Sequence, residues 1–366
     1  MPLGESAQRF GGEISFSEFR MNAQIALILG QDGITNGAIY ALLALSILLV
    51  FTVTRVLFIP QGEFVAFGAL TMAAMQAGKP ILLVWLLLAF ALAEVIADLM
   101  ARRKRPARGR THWRMAAKVI YPLALALLLY RLPLAQLPMA VQALLTLLLL
   151  VPMGPQLYRL FYQPIASAST LVLLIVSIAV HLALVGLGLL AFGAEGARTA
   201  PFSDASLTLG PINVNSQALW VVAVSVVLIV VLYQFFERSM YGKALRAAAF
   251  NRIGARLMGI SPVFAGKATF FLAALIGTVS GILIAPITTM YFDSGFMVSL
   301  KGFVGAIIGG LVSYPLAAAG AVLVGLIEAF SSFWASAYKE IIVFTLIIPV
   351  LLWRSLNSHH VEEEDE

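Results

Sequence analysis

The sequence predicts an all-α fold, a polytopic bundle of about 8–11 membrane-spanning segments at roughly 20 residues per crossing. Three observations lead there. Of 366 residues, 61% are hydrophobic and only 11% are charged, whereas a soluble domain carries about 25% charged residues. A chain so poor in charge cannot cover a water-facing surface, so hydrocarbon is its solvent. Second, long apolar runs recur along the whole chain. They are too continuous for the alternating strands of a membrane barrel. Third, the formal net charge of +6 gathers in short stretches between the runs. Positives that flank apolar spans carry topology information and are not the footprint of a nucleic-acid binder.

Residues 1–33 form a polar N-terminal arm. Its start, "MPLGESAQRFGGEISFSEFR", lacks the apolar core of a cleaved signal peptide. The main membrane domain spans 34–353. Its apolar runs lie near 34–54, 60–78, 80–99, 116–130, 137–153, 168–190, 217–236, 264–286, 299–312, 316–334 and 338–353. Those at 116–130, 137–153 and 299–312 are short and read as tilted, re-entrant or broken helices. An acidic tail occupies 354–366.

Orientation follows from the basic loops. The densest is "RRKRPARGRTHWR" at 102–114, and the second lies at 237–259. Four runs separate them, an even number, so both fall on one side, and the positive-inside rule makes that side cytoplasmic. Counting outward then places the N-terminus, the loop 191–216 and the stretch around Asp293 outside, and the C-terminus inside. Residues 103–153 read as a basic loop followed by an extra hydrophobic hairpin. With few placed polar groups, that hairpin reads as peripheral, and as an even insertion it preserves the orientation of all that follows.

A few polar residues interrupt the apolar background. In "FIPQGEFVAFGA", Pro60 and Gly62 predict a helix break, and Gln61 and Glu63 place polar atoms beside it. An ionisable group within the membrane is costly and is a functional candidate by default. Equally, Glu63 fits the cytoplasmic interface, solvated or paired with Arg55. Glu328 lies in a Gly/Ala-rich segment. It reads first as a packing residue bonded to Ser331 or Ser332, and second as part of a translocation path. Glu94 and Asp98 are expected to pair with Arg102 and Arg103. His181, alone in an apolar run, reads as a helix-packing group.

The stretch "YGKALRAAAFNRIGARLMGI" (241–260) collects Lys243, Arg246, Arg252 and Arg256 among small residues. Its alanines favour helix, and Gly254 permits a break into two short helices. Leu245, Ala249, Ile253 and Leu257 form an i,i+4 stripe, yet Arg252 and Arg256 fall near it, a mixture suited to a helix wedged into a partner's groove. On charge alone the stretch reads as an ordinary cytoplasmic loop. There is no GxxxxGK[ST] phosphate loop, so the chain is not its own ATPase. No HExxH, nucleophile elbow or paired catalytic carboxylates appear, and there are no cysteines. No catalytic residue, metal site or cofactor of its own is expected.

The segment "GKALRAAAFNRIGARLMGI" resembles the cytoplasmic coupling loop of the branched-chain amino acid permease family of ABC importers. Gly242, Ala244, Leu245, Arg246, Ala247, Ala249, Ala255, Leu257, Gly259 and Ile260 fit that pattern, while Asn251 stands where the family usually has Asp. Residues 36–70, 157–180 and 300–344 resemble further parts of the family in the same order, although Phe58-Ile59-Pro60 replaces the usual Asn-Phe-Ala. The resemblance leaves out the N-terminal arm, the basic loop and the hairpin. It implies a permease subunit of the bacterial inner membrane, with residues 241–260 as the ATPase-coupling loop (Gly242, Lys243, Leu245, Arg246, Ala247, Arg252, Gly259, Ile260). Candidates for a translocation path, from the cost of polar groups in a membrane span, are Gln61, Gly62, Glu63 and Glu328. The implied partners are two ATPase subunits that bind the ATP, a second permease subunit, homologous or identical, and an external substrate-binding protein. Close relatives moving urea or short amides look alike, so these stay open as substrates. An ion-gradient-driven transporter using Glu63 or Glu328 is the rival reading.

Overall fold

The computed structural model describes residues 16–104, 111–203, 205–209 and 212–357. The first 15 residues, the middle of the 102–114 basic loop and the end of the acidic tail lie outside the described residues. The chain runs α1 (Phe16–Thr54), α2 (Gln61–Gln76), α3 (Leu83–Lys104), α4 (Thr111–Arg131), α5 (Met139–Leu150), α6 (Met153–Leu157), α7 (Thr170–Phe192), a hairpin of β1 (Ser206–Leu209) and β2 (Ile212–Asn215), then α8 (Ser216–Arg238), α9 (Met240–Phe250), α10 (Arg252–Leu257), α11 (Pro262–Ile284), α12 (Ser294–Ile308), α13 (Tyr314–Trp334), α14 (Lys339–Thr345) and α15 (Ile347–Asn357). Among the described residues, eight helices are long and apolar enough to cross a membrane. The short hairpin is the one departure from an all-α bundle among them.

Helix starts follow local chemistry. Ser169, Asn215 and Ser261 each accept a hydrogen bond from a backbone N–H in the first turn of α7, α8 and α11, which satisfies donors the helix itself cannot. The first apolar run is only the second half of α1. The helix begins at Phe16, because Gln31 and Asp32 lower the hydropathy without breaking the backbone. Helix α1 is the central post. Ile39, Leu42, Leu43 and Leu48 are fully buried, and it packs tightly on α13, where a Cβ at Gly37 would stand 2.8 Å from Val322 Cα. Without a hydrophobic drive between helices in lipid, such small-residue seams let backbones approach. Helix α8 lies at the rim, with Val226, Val227, Val230 and Val231 exposed, as a lipid-facing helix should be.

The described residues on either side of the first basic stretch and the second stretch itself lie at one end of the bundle. Lys118, at the start of α4, bridges Glu94 at 2.6 Å and Asp98 at 3.0 Å near the end of α3, and Arg159 also pairs with Asp98. Tyr158, next in sequence to Arg159, packs against Gly266 at the start of α11. Neighbouring Ala265 joins Leu245 and Ala248 of α9 in one apolar cluster. At the opposite end the Gln76 side chain accepts from the Ala200 backbone, and Ala197 bridges Met290. Arg102 and Arg103, the expected partners of Glu94 and Asp98, have side chains that lie outside the described residues; among the described side chains Lys118 and Arg159 hold the two carboxylates. The reason is that α4 folds back antiparallel on α3 and brings its own cation level with the carboxylates.

The hairpin at 116–153 is not peripheral. Leu145, Leu149 and Leu150 of α5 belong to the main apolar core with residues of α2 and α11. Gln142 donates to the carbonyls of Leu134 and Leu137 and so ties down the turn before it. Buried Thr146 bonds back to Gln142. A stripe of leucines carries no sign of whether lipid or protein covers it, which is why composition alone misplaced this element.

Candidate functional site: a junction of two half-helices at mid-height

Two helices start inside the bundle. After Thr54 the chain turns, with Arg55 at φ 61°, and residues 55–60 lead back inward as irregular backbone. Non-helical chain is tolerated at membrane depth only where protein encloses it. Here Phe58, fully buried, is packed by Phe64, Tyr162 and Phe270, its ring centroid 4.6 Å from that of Phe270. Helix α2 then starts at Gln61, whose side-chain amide donates to the Ala273 carbonyl at 3.0 Å, about halfway along α11. Helix α12 starts equally deep. Gly295 lies against Gly62, so closely that a Cβ on either would collide with the other's carbonyl. The ring of Phe296 sits 4.8 Å from that of His181, at the middle of α7. With 15 residues at about 1.5 Å each, α12 spans only part of a bilayer, as its short apolar run suggested. The break therefore lies before Gln61. Gly62 serves close approach inside the first turn of α2 and is not the break itself.

At this junction Glu63 is 1% exposed, and its Oε1 lies 2.7 Å from His181 Nδ1. It is thus neither solvated nor paired with Arg55, which is exposed and lies over the Phe51 ring. The second Glu63 oxygen and Gln61 Oε1 are buried without a hydrogen-bond partner. Two helix N-termini, each carrying a partial positive charge, thus meet beside a carboxylate, an imidazole and unused acceptors. Such a junction suits a small polar or zwitterionic solute. The sequence reads His181 as a helix-packing group, whereas the structure pairs it with Glu63. Its signal was the cost of any lone ionisable residue in a span, which implies a buried partner.

Glu328 does not join this junction. Its carboxylate accepts from the Tyr40 hydroxyl at 2.6 Å and from Lys301 Nζ at 2.5 Å, and Lys301 also reaches Glu340 at 3.1 Å. Neither expected serine is its partner. The rotation of α13 turns Glu328 towards α1 and α12, and this network ties α1, α12, α13 and α14 together.

Residues 241–260 form two short helices, as expected, but the break falls at Asn251, not Gly254. Asn251 adopts an extended backbone (φ −146°, ψ 101°), and its side chain caps α10 by accepting from the Gly254 N–H at 2.8 Å. Asp, the family's usual residue there, caps equally well. The break divides the supposed stripe. Leu245, Ala248 and Ala255 pack against Leu49 and Val53 of α1 and Ala265 of α11, while Ile253 and Leu257 point outward. With Met240, Tyr241, Met258 and Phe250, the last 95% exposed, they form an open apolar face. Lys243, Arg246 and Ala247 are exposed, Arg252 and Ile260 half-buried, and Gly242 is buried against the Phe235 carbonyl. Arg246 pairs with Glu237 at 2.5 Å. Gly259 holds φ 84°, a left-handed turn that favours glycine.

These features define a polytopic membrane permease, with a broken-helix junction inside and a two-helix platform at its basic end. Residues 117–351, more than half of the chain, match the family model for the branched-chain amino acid transport system permease component. The chain belongs to that family. Because the match starts at 117, it takes in nearly all of the hairpin, which the sequence reading had left outside the resemblance. The chain is 29% identical over 210 residues to LivH, a high-affinity branched-chain amino acid transport system permease protein of Escherichia coli K12, covering 54% of this chain and 67% of LivH. LivH of Salmonella typhimurium is equally similar. BraD of Pseudomonas aeruginosa, named in the same terms, is 26% identical over 208 residues, 55% of this chain and 68% of BraD. No solved structure gave a significant match.

Proposed function

We propose that this chain is the membrane-spanning half of an ABC importer that carries branched-chain amino acids into the cytoplasm. The observation that carries this reading is the α9–α10 platform. It is anchored to the bundle by Leu245, Ala248 and Ala255 and presents an apolar face with basic residues around it. Exposed apolar patches of this kind mark protein interfaces, and the occupant that fits is a cytoplasmic ATPase subunit. A complete importer would hold two such ATPases, a second permease subunit and an external binding protein.

The coupling route is short. Displacing α9–α10 pushes Leu49 and Val53 at the end of α1 and Ala265 at the start of α11. The end of α1 leads directly into residues 55–60, and α11 holds Gln61 through the Ala273 carbonyl. Movement at the platform thereby reaches the junction of Gly62 and Gly295, whose tight contact is either kept or opened. Glu63 and His181 stand beside that opening as the polar groups a zwitterion would meet. The chain itself performs alternating access and makes or breaks no covalent bond.

The rival reading, an ion-gradient carrier, is favoured by the buried Glu63–His181 pair. Uptake into vesicles that contain the chain with its ATPases separates the two. Leucine uptake that requires ATP and a binding protein is expected. Uptake driven by a proton or sodium gradient without ATP would reject the importer.

A further inference from the structure

Ionisable side chains gather at one level near the basic end of the bundle, a turn or two inside the helix ends. Lys118 of α4 bridges Glu94 and Asp98 of α3, and Arg159 pairs with Asp98. Arg159 belongs to a π-helical turn over Tyr158–Tyr162, a geometry concentrated at functional sites. Tyr158 packs against Gly266, so the next residue on each chain, Arg159 and Lys267, is set at the same height. Lys267 lies within electrostatic reach of Arg159, Glu94 and Lys118, and two of those neighbours repeat its own charge. Lys118 and Arg159 already share the two carboxylates. The half-buried Lys267 ammonium has no hydrogen bond or ion pair among the described residues. Three cations against two carboxylates leave one positive charge without a counter-ion, and like charges gathered at low dielectric repel strongly.

What covers that charge follows from the face Lys267 occupies. It lies five residues past the start of α11 at Pro262, about 7.5 Å along the helix, and α11 is one of the membrane-crossing helices. Phe264, three residues before it, and Phe271, four after, are both exposed, so this stripe of α11 looks out to hydrocarbon. An unpaired cation on such a stripe is costly. This near a helix end its stem lies along the phenylalanines while its head reaches the interface. The anion met at that depth, with apolar chains to cover the phenylalanines, is a lipid phosphate, and basic pockets between helices hold such headgroups. The neighbouring stretch "RRKRPARGR" at 102–110 carries no acidic residue to serve instead.

We infer that Lys267, with Arg159 and Lys118 beside it, holds the phosphate of an anionic phospholipid in the leaflet at the basic end of the bundle. Lys267 makes the direct contact, and the acyl chains lie over Phe264 and Phe271. The headgroup supplies the counter-charge that Glu94 and Asp98, shared between Lys118 and Arg159, leave unmet. The site does not depend on which solute the chain carries.

Native mass spectrometry of the full chain reads the preference directly. Phosphatidylglycerol and phosphatidylcholine with matched acyl chains are supplied in equal amounts; the phosphate of the second is neutralised within its own headgroup. Retained phosphatidylglycerol is expected to exceed phosphatidylcholine. Lys267→Gln should reduce that excess about tenfold, the loss of one hydrogen bond to a charged group. Lys267→Arg should keep it, and so should Lys79→Gln, which alters an exposed lysine at the opposite end. Inorganic phosphate at millimolar concentration should not displace the lipid. Equal retention of the two lipids by the unaltered chain overturns the site, whether or not a variant folds. So does an excess unchanged in Lys267→Gln, or one lost equally in Lys79→Gln. Displacement by inorganic phosphate overturns it too, because it marks an anion site open to water.

Discussion

Glu63 shows how one buried carboxylate depends on its partner. Its Oε1 bonds His181 and its other oxygen has no partner. Glu63→Gln keeps a hydrogen-bonding group for the imidazole, so the protein should purify with nearly native thermal stability while transport falls. Glu63→Leu strands the imidazole in an apolar site, a loss of about 1–3 kcal/mol, and should lower the melting temperature in detergent as well. Full uptake by Glu63→Leu would remove this residue from the translocation path. Lys301 presents the complementary case. It bridges Glu328 and Glu340 from a buried position, so Lys301→Met leaves the buried Glu328 carboxylate uncompensated, beside the partly exposed Glu340, and should cost about 3–5 kcal/mol. Adding Glu328→Gln removes the stranded charge. The double variant should therefore melt higher than the single Lys301→Met, because residues in one network do not act additively. A double variant that melts lower would mean the network is not coupled as drawn.

At the scale of elements, the α9–α10 platform separates anchoring from docking. Leu245 is buried, whereas Phe250 and Leu257 are exposed. Phe250→Asp and Leu257→Asp should therefore leave stability within about 0.5 kcal/mol, as surface substitutions do, yet abolish co-purification of the ATPase and uptake. Retained co-purification in both would show that another surface docks the partner. The α4–α5 hairpin makes the opposite point. The sequence reads residues 115–153 as two passes whose removal keeps the parity of later spans, but the second candidate span of the pair runs from Met139 to Ile165, so the deletion cuts it in the middle. It also strips Leu145, Leu149 and Leu150 from the core shared with α2 and α11, and each large apolar side chain lost from a core costs roughly 2–5 kcal/mol. The deleted protein is expected to aggregate or be degraded, read by fluorescence-detected size exclusion. A monodisperse, transport-active deletion would return the hairpin to the periphery.

For the molecule as a whole, the chief expectation is its sidedness. The platform shares one end with the level at which α3 and α4 are bridged by Lys118, while the loop after α7 and the chain after α11 lie towards the other. The chain has no cysteine, so single cysteines report without background. Met258→Cys should react with a membrane-impermeant maleimide only from the cytoplasmic side, and Glu195→Cys only from the external side. Both residues are exposed. Labelling of both from the same side would break the topology, and reversed labelling would invert the transport direction proposed here.

Composition and charge by themselves determined the solvent, the helical class, the rough positions of most spans and the common end of the two basic stretches. Each of these is a sum over neighbouring residues, so a local window contains the information. The small-residue loop at 241–260 was legible for the same reason, as two short helices with a basic composition. Tertiary structure alone decided the pairings. Glu63 meets His181 across 118 residues, Tyr40 meets Glu328 across 288, and Tyr158 packs against Gly266. It also decided that the hairpin is core and that the helix break precedes Gln61. A leucine or a carboxylate on a membrane helix has the same hydropathy whichever way it faces. Which way it faces depends on helix rotation and on which other helix packs against it, and no local window carries that information.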